Sequence, residues 1–253
     1  MKLKVLIPTL LLTFSSIAAD NGRGYDIAAK VKFNDTGWVN TSAQMEMILK
    51  NASGDESSRK MRVNTLEVAN DGDMSLTIFD TPRDISGTIF LSHSHIDTDD
   101  AQWIYLPAIR RAKRISTSNK SGPFMGSEFA YEDIASFELS KYDFEFISEE
   151  DEYFVIQQIP TTEYSGYSRQ VVWIDKENYY IKKIYFYDVK NTLLKVLTMD
   201  DFKKYKDQFW RASISHMKNV QTNKETTLIL EDIRFSVDMD DGDFTVGAIR
   251  RMK

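Results

Sequence analysis

Hydrophobic and polar residues alternate with a period of two through most of the chain. In the first clear run, Ala43, Met45, Met47 and Leu49 alternate with mostly polar neighbours. A period of two is typical of a β-strand with two different faces. The same pattern recurs between Gly-, Asn-, Asp- and Ser-rich turns and predicts strands over residues 43–49, 60–65, 74–79, 87–94, 101–106, 111–116, 142–148, 153–158, 168–175, 180–188, 193–199, 208–218 and 226–237.

Three short stretches have a different period. Residues 24–33 carry apolar positions at helical spacing, and residues 127–135 begin with Ser127 and early acidic residues, so both predict a helix. Residues 244–252 predict a last short helix. About a dozen antiparallel strands without βαβ spacing predict a mainly β (α+β) fold, one large curved antiparallel sheet or barrel, with the first two helices covering its apolar concave face.

The first 19 residues are typical of an export signal. Lys2 and Lys4 precede an apolar run that ends in small residues before Asp20. This pattern predicts a signal peptide over residues 1–19 and a single domain over residues 20–253. Since no Cys follows the predicted cleavage point, we expect an exported, soluble protein held together by its core alone.

Composition narrows the chemistry. The 253 residues have a net charge of −6, no Cys and three His, which excludes disulfides, thiolate metal sites and Cys nucleophiles. The acidic total disfavours nucleic-acid binding. His93 and His95 resemble the H-x-H-x-D-H motif of metallo-β-lactamase-fold hydrolases, but Thr98 stands where the closing His belongs. The acidic run 238–243 lacks the Glu that ends a calcium loop and is interpreted as a solvated turn. We therefore predict no catalytic residue, no metal and no cofactor.

A basic strip stands out in this acidic chain. It consists of Arg110, Arg111, Lys113 and Arg114, directly after the segment 103–107. One interpretation is a charged sheet edge that deters strand addition. The other is a docking strip for an acidic partner or for anionic lipid head groups.

Methionine and aromatic residues on the predicted strands suit an apolar cavity, although ordinary core packing explains any one of them equally well. On each strand, the alternate positions that include the methionines are taken as the inward-facing ones. A shift of one residue in register would invert the two faces. The candidates for lining the cavity are Met45, Met47, Met61, Val63, Leu76, Ile78, Leu91, Trp103, Tyr105, Phe129 and Tyr131.

Three segments resemble a known family. They are 79–88 (FDTPRDISGT) running into Phe90-Leu91, 103–111 (WIYLPAIRR) continuing to Arg114-Ile115, and 124–133 (FMGSEFAYED). In this order they are similar to the LolA-like outer-membrane lipoprotein-sorting proteins of bacteria. Matches at 173–175, 194–195 and 244–245 extend the likeness over nearly the whole mature chain.

The resemblance implies a periplasmic fold in which an incomplete antiparallel barrel wraps over helices and holds acyl chains in its concave face. Burial of an acyl chain is worth about 0.8 kcal/mol per CH₂, so transport through water needs a covered apolar cavity and an opening step. The expected function is that of a monomeric carrier or chaperone for a lipid, acyl chain or lipoprotein. The alternative is a non-carrier accessory subunit on an inner-membrane lipid exporter of the resistance-nodulation-division type. A small outer-membrane barrel is disfavoured, because the strands lack a regular lipid-facing band.

Overall fold

A computed structural model describes residues 21–252 of the chain; the predicted signal peptide lies outside the described residues. One helix precedes thirteen strands, and a second, single-turn helix follows them. The elements are α1 Asn21–Asn34, β1 Asn40–Lys50, β2 Glu56–Leu66, β3 Met74–Thr81, β4 Ile89–His93, β5 Ala101–Leu106, β6 Arg111–Ile115, β7 Tyr142–Glu149, β8 Tyr153–Pro160, β9 Tyr167–Asp175, β10 Ile181–Asp188, β11 Leu193–Tyr205, β12 Phe209–Asn219, β13 Glu225–Phe235 and α2 Val246–Ile249.

All thirteen strands form one antiparallel sheet in the order β6-β5-β4-β3-β2-β1-β13-β12-β11-β10-β9-β8-β7. Neighbours in the sheet are neighbours in sequence, except where β1 pairs with β13 and joins the two halves of the chain. The edge strands β6 and β7 do not pair with each other. The sheet is therefore an incomplete barrel, which confirms the predicted fold class.

Contacts made by one turn of the chain, Tyr131–Asp133, show that the sheet is strongly curved. The Tyr131 ring lies 5.7 Å from the Phe90 ring of β4, and Asp133 accepts a hydrogen bond of 2.8 Å from Tyr167 of β9. In a flat sheet these two strands would lie about 38 Å apart, at about 4.8 Å per strand. The sheet thus wraps around the connection between β6 and β7.

We call that connection, residues 116–141, the plug, and the sheet face that it covers the inner face. Phe124 and Phe129 of the plug are buried against Met47, Met61 and Phe79 of the first strands. The same core cluster continues on the other half of the sheet, through Val172, Phe186, Leu197 and Met217. The main core therefore lies between the sheet and the plug, and α1 extends it through Ile27 and Ala28.

The predicted helix over residues 127–135 is wrong. The plug instead has 3₁₀ turns at Phe124–Gly126 and Tyr131–Asp133, with extended backbone between them. The amide of Phe124 donates to the carbonyl of Phe129 at 2.7 Å and closes a tight loop. Local polar residues bind this loop backbone, since Ser127 donates to Phe124 O at 2.7 Å and Asp133 accepts from Ala130 N. These bonds satisfy the backbone without a helix.

The predicted helix at 24–33 is confirmed as α1, which lies against the edge strand β7. Its Gly24 is buried, and a Cβ there would lie 2.7 Å from the backbone carbon of Glu145. Glycine therefore allows the helix to approach the strand backbone directly. The helix covers one sheet edge, whereas β6 at the other edge pairs only with β5.

A second, smaller core lies on the outer face of β3 to β5. Leu76, Ile89 and Leu91 pack there against Phe244 and Ile249 near the C-terminus. The predicted helix at 244–252 is shorter in the structure, with four residues in α2. The predicted acidic turn is present: Asp240 accepts from Gly242 N at 2.8 Å and starts the 3₁₀ turn that inserts Phe244.

Candidate functional site

Six of the predicted cavity residues lie on the inner face or in the plug. Met47, Met61 and Phe129 are buried in the main core, and Met45, Val63 and Tyr131 pack against it. The register of β1 and β2 places their members on the same face, because Met45 lies opposite Met61 and Ala43 opposite Val63. In this arrangement the plug already fills the space in front of Met47 and Met61.

The other five predicted residues lie on the outer face, which corrects their placement. They are Leu76, Ile78, Leu91, Trp103 and Tyr105. Since Met61 lies opposite Phe79, the inner positions of β3 are Thr77 and Phe79. Both faces of β3 and β4 are covered, so their apolar residues form nearly continuous runs. Such runs contain no parity signal, and the C-terminal cover was needed to assign the faces.

Polar side chains of the sheet hold the plug. Lys195 on β11 donates to Asp133 at 2.7 Å and to the carbonyl of Glu128 at 2.8 Å. The side chains of Lys195 and Asp133 are 5% and 6% exposed, so this ion pair is shielded from water. Tyr167 also donates to Asp133 at 2.8 Å. Burial, followed by the charges of Asp133 and Glu132, raises the pKa of Tyr167 well above its usual value.

Further polar contacts hold the second half of the plug. Glu132 accepts from Ser165 Oγ at 2.7 Å and from Gly166 N at 2.9 Å, and burial raises the pKa of its carboxyl. Lys32 of α1 donates to Glu138 at 2.9 Å. The plug is therefore attached by directional bonds that can be exchanged, in addition to its apolar contacts.

An apolar cleft of about 410 Å³ opens between α1 and strands β10 to β12. We call it the α1 cleft. Its apolar lining includes Val31, Trp38, Ile181, Met199, Phe202 and Trp210. Its size falls within the range of small-molecule sites, about 300–1,000 Å³.

Sequence reasoning did not identify the α1 cleft. Its walls come from segments more than 150 positions apart in the chain, such as Trp38 and Trp210. The one local signal is an aromatic cluster, in which Tyr180 stacks on Phe202 with ring centroids 3.9 Å apart. Nothing in the spacing of these residues indicates that α1 lies over them.

A second cavity, of about 450 Å³, lies beside the plug. Phe129 and Leu194 provide apolar wall, and Lys195, Asn219 and Lys224 provide polar groups. We call it the plug cavity. Its lining extends from the exposed Lys224 to the buried Lys195.

The basic strip lies at the uncovered edge of the sheet. Arg111, Lys113 and Arg114 are exposed on β6, and Arg110 precedes them in the left-handed backbone region at φ 49°. Arg114 lies 5.9 Å from the Trp103 ring. No ion pair within residues 21–252 involves any of the four.

The two histidines of the incomplete metal motif point to different partners. His93 Nε2 lies 2.7 Å from the carbonyl of Phe244, and His95 Nδ1 lies 2.7 Å from Asp71. The bond from His95 is the main cause that lowers the pKa of Asp71 to about 2. Among the described residues, no three His, Asp or Glu side chains converge in a way that could hold a metal ion. In the same part of the chain, no helix has the length and apolarity needed to cross a membrane.

The half-barrel wrapped around its own connection is a LolA-like fold. A LolA superfamily protein from Nitrosomonas europaea shares it, with a TM-score of 0.70 at 18% identity over 88% of this chain and 97% of that chain. A DUF1329 family protein from Desulfovibrio piger is 26% identical, with a TM-score of 0.84 over 90% and 98%.

An outer-membrane lipoprotein-sorting protein domain from Vibrio parahaemolyticus is 51% identical, with a TM-score of 0.90 over 92% of this chain and 100% of that chain. Residues 71–251 also match a family model described as an uncharacterized protein. The chain therefore belongs to the LolA-like family of outer-membrane lipoprotein-sorting proteins. A search of curated proteins returned no match.

Proposed function

We propose that this protein is a periplasmic carrier that shields the apolar part of a lipid, acyl chain or lipoprotein on the way to the outer membrane. It acts by burial and release, without catalysis or nucleic acid, and works as a monomer exported through its signal peptide. Membership of the lipoprotein-sorting family supports the class of cargo. A carrier needs apolar surface that can be exposed to cargo and covered again.

The observation that carries the proposal is the composition of the inner face. The strands present Met47, Met61 and Phe186 to a plug that is a connection and not part of the sheet. Exchangeable polar contacts, with Lys195–Asp133 at their centre, hold this plug in place. Displacement of the plug would expose a continuous apolar surface, and acyl chains can replace the side chains of Phe124 and Phe129 there.

The α1 cleft is the entry point in this proposal. It is apolar, open to solvent and continuous with the core at Val31 and Met199. An acyl chain that starts in the α1 cleft can advance along the inner face as the plug moves. Flexible methionine side chains suit a ligand of variable shape.

The test uses the exported, purified protein, native mass spectrometry of bound lipid, and displacement of a fluorescent acyl probe by lipid extracts. We expect co-purified acyl species and competitive displacement. Met199→Gln should weaken probe binding about five- to tenfold, equivalent to about 1–1.5 kcal/mol of lost apolar contact. Met239→Gln is the matched control, since Met239 packs in the outer core. A protein that carries no lipid and binds no probe would refute the carrier function.

The uncovered edge strand β6 favours a second candidate function. Its basic strip lies beside unpaired backbone groups, in a chain with a net charge of −6. A non-carrier subunit could dock there on an acidic surface of an inner-membrane exporter of the resistance-nodulation-division type. This function predicts pull-down of the exporter that is lost in an Arg111→Glu/Arg114→Glu variant and does not require lipid. Unchanged pull-down with the reversed charges would remove the strip from consideration.

A further inference from the structure

Three hydrogen-bond donors of the sheet converge on the plug. They are the Lys195 ammonium, the Tyr167 hydroxyl and the Asn219 amide, which we call the donor cluster. Lys195 and Asn219 lie directly opposite each other on β11 and β12. The cluster therefore belongs to the rigid sheet and remains on the inner face wherever the plug goes.

Among the described residues, every group that accepts a hydrogen bond from these three side chains belongs to the plug. Lys195 and Tyr167 donate to the carboxylate of Asp133. Lys195 also donates to the carbonyl of Glu128, and Asn219 donates to the Glu128 carboxylate at 2.8 Å. The plug thus presents two carboxylates to a cationic site on the wall of the half-barrel.

Displacement of the plug would leave the cation of Lys195 without the carboxylate and the carbonyl that it binds. Its surroundings are apolar and aromatic, with the Tyr167 and Phe186 rings 5.0 and 5.2 Å away. An unpaired charge in such surroundings is strongly disfavoured. A neutral cargo would leave it unpaired, whereas an anionic group on the cargo would replace Asp133.

The geometry points to an anion-binding site at Lys195, Tyr167 and Asn219 that accepts a phosphate or carboxylate group of an amphiphilic cargo, in competition with Asp133. The inference rests on the proposed carrier function and deepens it by assigning a charge to the cargo. A carboxylate and a phosphate oxygen both accept charge-assisted hydrogen bonds from an ammonium group. The plug cavity gives the anionic group a path from the surface to Lys195.

The test compares amphiphiles with one chain and different ends. Oleate, oleyl phosphate and oleyl alcohol are titrated against the full mature protein below their micelle concentrations. Binding of oleate or oleyl phosphate should be about tenfold or more tighter than binding of oleyl alcohol, the factor expected for a hydrogen-bonded charge. Equal affinities for the charged and neutral forms would overturn the inference. If none of the three binds, the carrier function itself fails.

Four variants test which residues cause the preference for an anionic end. Lys195→Met should reduce the ratio of the oleate affinity to the oleyl alcohol affinity to about one while retaining oleyl alcohol binding. Asp133→Asn should tighten anion binding by removing the competing carboxylate. The double variant removes both charges, so it tests the preference even if one single variant unfolds. Lys190→Met is the matched control, since Lys190 is an exposed lysine in the turn between β10 and β11 and lines neither the plug cavity nor the α1 cleft. Loss of the preference in the control, or its survival in Lys195→Met and in the double variant, contradicts the assignment.

A last arm separates a lipid head group from a free anion. Inorganic phosphate at the same concentration should neither displace oleyl phosphate nor protect the protein against thermal unfolding, because the ion lacks an acyl chain to displace the plug. Displacement by inorganic phosphate alone would overturn the amphiphile assignment and favour a site for free anions.

Discussion

Asp73 is a half-buried carboxylate beside the plug, and it connects stability to pH. Ser136 of the plug donates to it at 3.2 Å. Burial raises the pKa of Asp73 to about 6, and the nearby Lys32 only partly opposes this shift. Between about pH 4 and pH 6 the folded protein keeps the proton that the unfolded chain loses. Stability contributed by this group is therefore present at low pH and lost as the pH rises to 6.

The substitution Asp73→Asn removes that loss and retains a hydrogen-bonding side chain. We expect the variant to be more stable than the wild type at pH 8, by at most about 3 kcal/mol, and equal to it near pH 4. Urea unfolding at both pH values measures the difference. Asp97→Asn, at an exposed loop position, is the control and should leave the pH dependence unchanged. A stability gain from Asp73→Asn that is the same at both pH values would contradict the argument.

The buried pair Lys195–Asp133 is open to a double-mutant cycle. Removal of one partner leaves a buried charge, so Lys195→Met and Asp133→Asn should each cost about 3–5 kcal/mol of unfolding free energy. The double variant should cost clearly less than the sum of the two single changes, because no charge is left unpaired. Denaturant unfolding of all four proteins gives the coupling energy. Additive losses would mean that the two side chains do not depend on each other.

At the scale of elements, the attachment of α1 to β7 depends on a single glycine. A Cβ on Gly24 would lie 2.7 Å from the backbone of Glu145, and backbone cannot move aside cheaply. A Cβ added to Gly22 in the same helix would have nothing within 4 Å of it. The two glycines therefore form a matched pair with opposite expectations.

Gly24→Ala should destabilise the protein by about 1–3 kcal/mol, the usual cost of overpacking. Gly22→Ala should be neutral or slightly stabilising, because alanine favours a helix over glycine. Thermal unfolding compares the two, and hydrogen exchange of the β7 amides reports whether the helix still covers this edge. A Gly24→Ala variant as stable as Gly22→Ala would show that α1 does not pack closely on β7.

At the scale of the whole molecule, cargo binding on the inner face requires movement of the plug. The chain contains no Cys, so an introduced pair can form only one disulfide within the molecule. The amide of Ser136 in the plug donates to Ser94 Oγ, which directly follows β4 of the sheet, at 2.9 Å. These neighbours are a suitable pair for a Ser94→Cys/Ser136→Cys variant.

The oxidised double-Cys protein should lose acyl-probe binding by about tenfold or more, since a population held closed cannot bind. Reduction should restore the affinity. The two single-Cys proteins are the controls and should bind under both conditions. If the crosslinked protein binds the probe as tightly as the reduced one, then cargo enters without displacement of the plug.

Strand positions and the fold class were predictable from the residues alone. Most strands show an alternation of their own, as in Ala43 to Leu49, and β3 and β4 are short apolar runs. The turns between strands have typical turn residues, as in Asn70-Asp71-Gly72-Asp73. All thirteen predicted strands are present, because these signals depend only on near neighbours along the chain. The helix at α1 was predictable for the same reason.

The assignment of faces and the location of the site were decided by tertiary structure. Leu76 and Phe79 are both apolar, and only the plug on one side and Phe244 on the other separate them into two cores. The plug forms no α-helix, because its backbone groups form hydrogen bonds within its own loop. Its side chains bind distant strands, as Asp133 binds Lys195. The alternation along a strand is a local property, whereas the side on which an apolar residue is buried depends on segments that lie far away along the chain.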